Sequence, residues 1–285
     1  MSLKIRYDNG REKDVGFIYV ASRDVLYYEL ALISCQTLRD YYPDAHVTLF
    51  THENFVDEEG RAEELFDTII TDIPIHYRTK MWCMARTPYT KRTIYIDADS
   101  MIRHRDIKKM HDFLDECDLF CGSNLLYTVG NPKWAHIDKA RKYEPIYHGS
   151  MWGYHTTDLN LDFMQTWFDE YVKQRRTKWP HEKFAYREWQ QFDMFTLWTM
   201  TVGSRIGMFP QYSKFNPLDI KILSRRWNST GQDLPEDLDG PPVITQVDKS
   251  TWSKMPATWQ NIQDKINEKR TVKKRSAADS IIEYN

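Results

Sequence analysis

Pro88 to Ile102 read PYTKRTIYIDADSMI, an apolar run closed by two aspartates, Asp97 and Asp99, one residue apart. Burying a carboxylate is unfavourable unless it is paired, hydrogen-bonded or set against a cation. In an extended chain residues i and i+2 face the same way, so both carboxylates can converge on one point at the carboxyl end of the strand TIYI. Open α/β sheets bind ligands at that end. Hard divalent cations such as magnesium and manganese take oxygen ligands and keep positions for substrate phosphates. Ala98 between the pair keeps the chain small where a diphosphate has to approach. A bare D-x-D also serves as an ordinary turn cap, with Asp99 accepting amide hydrogens.

The flanking segments place this motif in an α/β frame. VGFIYVAS (15–22) is a short continuous apolar run, as for a buried parallel strand. DVLYYELALISCQTLRDYY follows with Val25, Tyr28, Leu32, Cys35 and Leu38 on one helical face and Pro43 just beyond. HVTLF and DTIITDI read as strands around a helical DEEGRAEELF, and KMWCMA reads as a helix turn. After the motif, RDIKKMHDFLDE is expected to be helical and CDLFCGS a strand. The alternation predicts a mostly parallel sheet flanked by helices. Beyond about residue 124 the pattern changes to an aromatic, glycine-containing YHGSMWGYHTT, two long amphipathic segments, a loop DLPEDLDGPP and a strand-like VITQV.

Composition sets the outer bounds. The chain of 285 residues is long enough for a substantial core. With 39 basic and 41 acidic residues the formal charge is -2, so no global field draws nucleic acid or anionic lipid. The four cysteines lie in apolar stretches, which suits buried thiols in a reducing compartment. The N-terminus lacks the apolar core of a signal peptide and no window is long enough to span a bilayer, so a soluble, cytoplasmic protein is expected. On that expectation the NST sequon at Asn228 reads as a polar turn.

The order PYTKRTIYIDADSMIRHRDIKKMHDFLDECDLFCGSN resembles the central segment of GT-A fold glycosyltransferases, especially the glycogenin-like and related retaining families. The likeness extends more weakly over the first half of the chain. It implies a Rossmann-like GT-A sheet and transfer of a sugar from a nucleotide-diphosphate donor, with a UDP-sugar the leading candidate. By the same resemblance, Asp97 and Asp99 would hold manganese or magnesium on the diphosphate. Val20, Ala21, Ser22 and Arg23 would cradle base and ribose, and Lys80 would approach the diphosphate. Residues 1–125 would form the nucleotide-sugar half, 126–270 the acceptor half of the same domain, and 271–285 a mobile tail.

The sequence departs from the family at the third metal ligand. Relatives carry a histidine on a late strand; here VITQVDKSTW offers Gln246 or Asp248, or leaves the place to water, with Lys249 and Trp252 on the phosphate side. Glu188 and then Asp193, in YREWQQFDMF, fall where relatives carry a carboxylate signature and are the catalytic candidates; retention or inversion is left open. In YHGSMWGY, Trp152 or Tyr154 could offer a stacking face to a sugar. The acceptor could be a saccharide, a protein, a small molecule, or a hydroxymethylated pyrimidine in DNA as in phage enzymes. The DNA reading rests on the basic runs 173–183 and 265–276, Trp179, and the SRRW that ends at Trp227. Two rivals use the same motif: a haloacid-dehalogenase-like phosphatase, which places it on its opening strand, and a non-catalytic nucleotide-sugar sensor.

Overall fold

A computed structural model describes residues 3–22, 24–76, 78–123, 147–176, 193–230 and 238–246. Arg23, Glu188, Asp248, Lys249, Trp252, Trp179 and the tail 271–285 lie outside the described residues, as does the expected boundary near residue 125.

The large sheet has eight strands in the order β1-β4-β3-β2-β5-β8-β7-β9. These are β1 (Lys4–Asp8), β2 (Val15–Ala21), β3 (Val47–Thr51), β4 (Thr68–Thr71), β5 (Arg92–Ile96), β7 (Leu119–Ser123), β8 (Tyr147–His155) and β9 (Ile220–Leu223). Strands β4, β3, β2 and β5 run parallel, β7 and β9 are parallel to each other, and β1 and β8 are antiparallel to their neighbours. The expected mostly parallel sheet is therefore present. The edge strand β1 has no counterpart in the sequence reading, because KIRYD is mostly exposed and its only apolar residues are Ile5 and Tyr7.

Strand β2 shows why the parallel strands read as unbroken apolar runs. Phe17, Tyr19 and Ala21 pack in the cluster beneath helix α1 (Val25–Tyr41), while Ile18 and Val20 pack in the cluster on the other face. A sheet buried on both sides needs apolar residues at every position. Asp24 caps α1 by accepting the Leu26 amide at 3.1 Å. Of the expected apolar face, Tyr28, Leu32, Cys35 and Leu38 are buried and Val25 is exposed. Helix α2 is short (Arg61–Leu65), and the segment expected to be helical after the motif is a 3-10 helix, Arg105–Asp115. On the second face lie α3 (Thr79–Met84), α4 (Asp158–Arg176) and α5 (Asp193–Trp198), the last running into a π-helical turn at Thr199–Gly203.

A smaller sheet joins β10 (Ser229–Thr230), β11 (Ile244–Gln246) and β6 (Ser100–Ile102). All four cysteines are buried and free. Asn228 is fully buried, so the sequon is not an exposed turn. Trp152 and Tyr154 are both 0% exposed, so neither offers a face to a sugar; their rings fill the core under α4 instead. Trp227 packs edge-on against Phe113, and the neighbouring Arg226 is tied to Asp106 at 2.7 Å, which removes SRRW as an open stacking surface.

Candidate active site

Asp97, Ala98 and Asp99 form the turn by which the chain leaves β5 in the large sheet and enters β6 in the small one, closed by the Ser100 amide on the Asp97 carbonyl at 3.1 Å. The expected extended geometry stops at Ile96, because the chain has to change sheets there. Both carboxylates nevertheless face one cleft at the carboxyl end of the parallel strands. It is lined by Val20, Ser22, Tyr27, Arg78, Thr79, Lys80, Tyr95, Asp97, Ala98 and Asp99. The end of β2 thus reaches the cleft through Val20 and Ser22, while the Ala21 side chain is 0% exposed and belongs to the core beneath α1. Ser22 is pinned by its carbonyl to His52 Nε2 at 2.7 Å and by its hydroxyl to the His76 carbonyl at 3.4 Å.

Lys80 sits in the first turn of α3, where every residue is buried. Its ammonium is 3.1 Å from Asp97 Oδ1, donates to the Gly149 carbonyl at 2.5 Å, and lies 5.4 Å from the Tyr95 ring centre. The Tyr95 hydroxyl donates to the same Asp97 oxygen. Burial first, and then the Asp97 charge, hold the Tyr95 phenol well above its ordinary pKa, so it remains a donor. Arg86, at the exit of α3, lies 3.9 Å over the Trp82 ring and donates to Gln165 on α4 at 2.5 Å, which fixes the helix that carries Lys80.

Asp193, the second catalytic candidate, opens α5 and is almost wholly buried. Oδ1 is 3.2 Å from Arg78 Nε and Oδ2 is 4.0 Å from Lys80 Nζ. Burial acts to raise its carboxyl pKa, but the Arg78 and Lys80 charges outweigh it and hold the group below the ordinary carboxylate range. Asp193 does not line the cleft. Its place is behind Lys80, against Gly149, where a Cβ would come within 3.2 Å of Oδ2. Arg78 is the part of this arrangement that no motif announced: it lies two residues before Lys80, and only folding brings it to the Asp193 carboxylate.

Gln246 stands in register opposite Ser100, the residue that follows Asp99. Among the described residues no group of three His, Cys, Asp or Glu side chains could hold a metal ion. The donor set is instead two carboxylates with a neighbouring carboxamide, all hard oxygen ligands. Oxygen ligands of this kind fit a magnesium- or manganese-type cation.

Across β8 from Lys80, His148 is half-buried and belongs to a polar group with Ser150 and Asn228. Burial, reinforced by the charges of Lys80 and Arg225, pushes its imidazole down to about 3, so it is neutral at physiological pH.

No protein-family model matches the sequence. No curated protein matches it either. The fold is similar to that of the galactosyltransferase LgtC, solved with donor and acceptor sugar analogs, at a TM-score of 0.53 and 11% identity over 81% of this chain and 86% of that one. It is likewise similar to the glycosyltransferase GlyE of Streptococcus pneumoniae TIGR4, at a TM-score of 0.54 and 11% identity over 88% of this chain and 60% of that one. The sheet order, the sheet-switching aspartate turn and these likenesses agree that the chain has the GT-A glycosyltransferase fold.

Proposed function

We propose that the protein is a divalent-cation-dependent glycosyltransferase that moves a sugar from a nucleotide-diphosphate donor to an acceptor hydroxyl. The observation that carries this reading is the convergence of Asp97, Asp99, Lys80 and the end of β2 on one cleft at the carboxyl edge of a GT-A sheet. Asp97 and Asp99, with Gln246 alongside, are the residues that would hold the cation, which when bound neutralises charge developing on the leaving diphosphate. Val20 and Ser22 border the end where base and ribose would lie. Lys80 offers the diphosphate a cation fixed in place by Asp97 and the Gly149 carbonyl, and preorganised charge of this kind lowers the barrier without reorganising during the reaction. Tyr95 holds the Asp97 carboxylate in orientation.

Asp193 is read as the anchor of Arg78 and Lys80, since its two oxygens are turned to those cations and hidden from the cleft. Glu188 remains the candidate carboxylate at the sugar: Glu188→Gln is expected to cut turnover sharply with donor affinity intact, and unchanged turnover would clear it of the role. The phosphatase and sensor readings gain no structural support. A DNA acceptor loses its SRRW element, and salt-dependent binding to hydroxymethylated DNA would be needed to restore it.

A thermal-shift screen of nucleotide sugars with and without manganese tests the reading, because a ligand that binds only the folded chain raises its Tm. A UDP-sugar is expected to stabilise the wild type only when manganese is present, and neither Asp97→Asn nor Asp99→Asn at all. Stabilisation of both variants equal to that of the wild type would overturn the assignment.

A further inference from the structure

Among the described residues the chain passes from the large sheet into the small one at two places. One is the Asp97–Asp99 turn between β5 and β6; the other is the link from β9 to β10, a 3-10 turn at Arg225–Trp227 followed by Asn228. Asn228 joins the two crossings. Its side chain is 0% exposed, and Oδ1 accepts the Ser150 hydroxyl at 2.7 Å. Its main chain runs straight into Ser229 and Thr230, which pair with Thr245 and Gln246 of β11, and β11 pairs with Ser100 to Ile102 of β6.

Both sides of the aspartate turn are thereby tied to one residue. On the entry side the Asp97 amide donates to the Ser150 carbonyl at 2.8 Å, one step beyond the last β5–β8 pair at Ile96 and Met151. Ser150 lies in a stretch of β8 that bows away from β7, because Cys121 stands opposite Trp152 while the next residue, Gly122, stands opposite His148. A bulge leaves the ladder locally open, so the place of that carbonyl depends on what packs behind the strand. Asn228 packs there, so closely that a Cβ on Gly122 would lie 2.6 Å from the Asn228 Cβ. On the exit side the Ser229 hydroxyl donates to the Ile244 carbonyl at 3.0 Å and fixes β10 to the strand that pairs with β6. Burying a carboxamide is unfavourable unless its polar atoms are bonded, and an apolar side chain could fill the same space. The bond to Ser150 is what the carboxamide adds.

We propose that Asn228 is a positioning residue for the aspartate turn. Through the Ser150 hydroxyl it sets the carbonyl that holds the Asp97 amide, and through β10 and β11 it sets the strand that follows Asp99, so it fixes the spacing of the two carboxylates. Asn228 does not line the cleft and acts only through these neighbours. The inference rests on reading the turn as the cation site of a glycosyltransferase.

Manganese binding to the full chain, read by enhanced water-proton relaxation with UDP present, tests it beside the urea denaturation midpoint. Asn228→Ala and Ser150→Ala are each expected to weaken manganese binding about tenfold, the usual loss when a group that orients a metal ligand from behind is removed. The double variant should bind no more weakly than Asn228→Ala alone, since both residues act along one path. Ser150→Thr, which restores the hydroxyl, should recover most of the loss. A role in folding alone would lower the midpoint and leave the affinity of the folded protein unchanged. Manganese affinity within about twofold of the wild type in Ser150→Ala, against the tenfold expected, overturns the proposal whether or not Asn228→Ala folds. Losses that multiply in the double variant overturn it as well. A wild type that takes up no manganese with UDP present removes the cation-site reading and this inference with it.

Discussion

Lys80 is the residue on which the cleft turns. Its ammonium meets a carboxylate in the cleft, a carbonyl on β8 and, at 4.0 Å, a carboxylate buried behind it. Lys80→Met keeps much of the side-chain volume and deletes the charge. Turnover is expected to fall by about 100-fold or more, the usual loss for one preorganised electrostatic contact, and turnover within a few-fold of the wild type in a steady-state assay would contradict its role. Asp193 makes the complementary case. Asp193→Asn leaves Arg78 and Lys80 facing a neutral group, and breaking a buried pair by removing one partner costs about 3 to 5 kcal/mol. Chemical denaturation should therefore show a lowered midpoint. The sign with pH follows from the depressed carboxyl: its stabilising contribution is present above the unfolded value near 4 and is lost as pH falls through the lower folded value.

Strand β8 joins two functions in one element, and its glycines separate them. At Gly153 a Cβ would lie 2.1 Å from Phe120 Cζ, inside a core that cannot yield. Gly153→Ala is expected to lower stability by about 1 to 3 kcal/mol, the range for overpacking, with activity per folded molecule retained. At Gly149 a Cβ would lie 3.2 Å from Asp193 Oδ2 and 3.4 Å from Lys80 Nζ, both in the charged cluster. Gly149→Ala should therefore reduce donor affinity and turnover more than it reduces the denaturation midpoint. Comparing midpoints with specific activities for the pair checks this, and the reverse ordering would refute it. The β6–β11 pairing is the second element that matters, because it sets Gln246 opposite Ser100 and beside the aspartate turn.

For the whole molecule, acid is the condition to watch. His46 and His111 border the opposite, amino end of the parallel strands, and each has a buried ring nitrogen without a hydrogen-bond partner among the described residues. Burial lowers both pKa values, that of His111 to about 4. The unfolded imidazoles take up protons near 6.5, so stability is expected to fall as pH drops below that value until His111 itself titrates. The His111 share is on the order of 3 kcal/mol, and His111→Leu should flatten the decline in Tm between pH 7 and pH 4; an unaltered slope would refute the assignment. How much of this was legible beforehand depended on distance along the chain. The β2, β3 and β5 strands, the α1 face and the D-x-D pair were readable because each is a local pattern of apolar spacing or of adjacent carboxylates. Trp152 and Tyr154 misled because aromatic residues between small ones look alike whether they line a groove or fill a core. The amino-acid order alone thus determined the sheet-forming alternation and the acidic pair at a strand end, since both follow from periodicity and neighbouring charge. Only the tertiary structure decided that the pair sits in a turn between two sheets, that Asp193 backs Lys80, and that Asn228 meets Ser150, because those contacts join residues up to 113 positions apart and no local pattern encodes which distant partner a side chain meets.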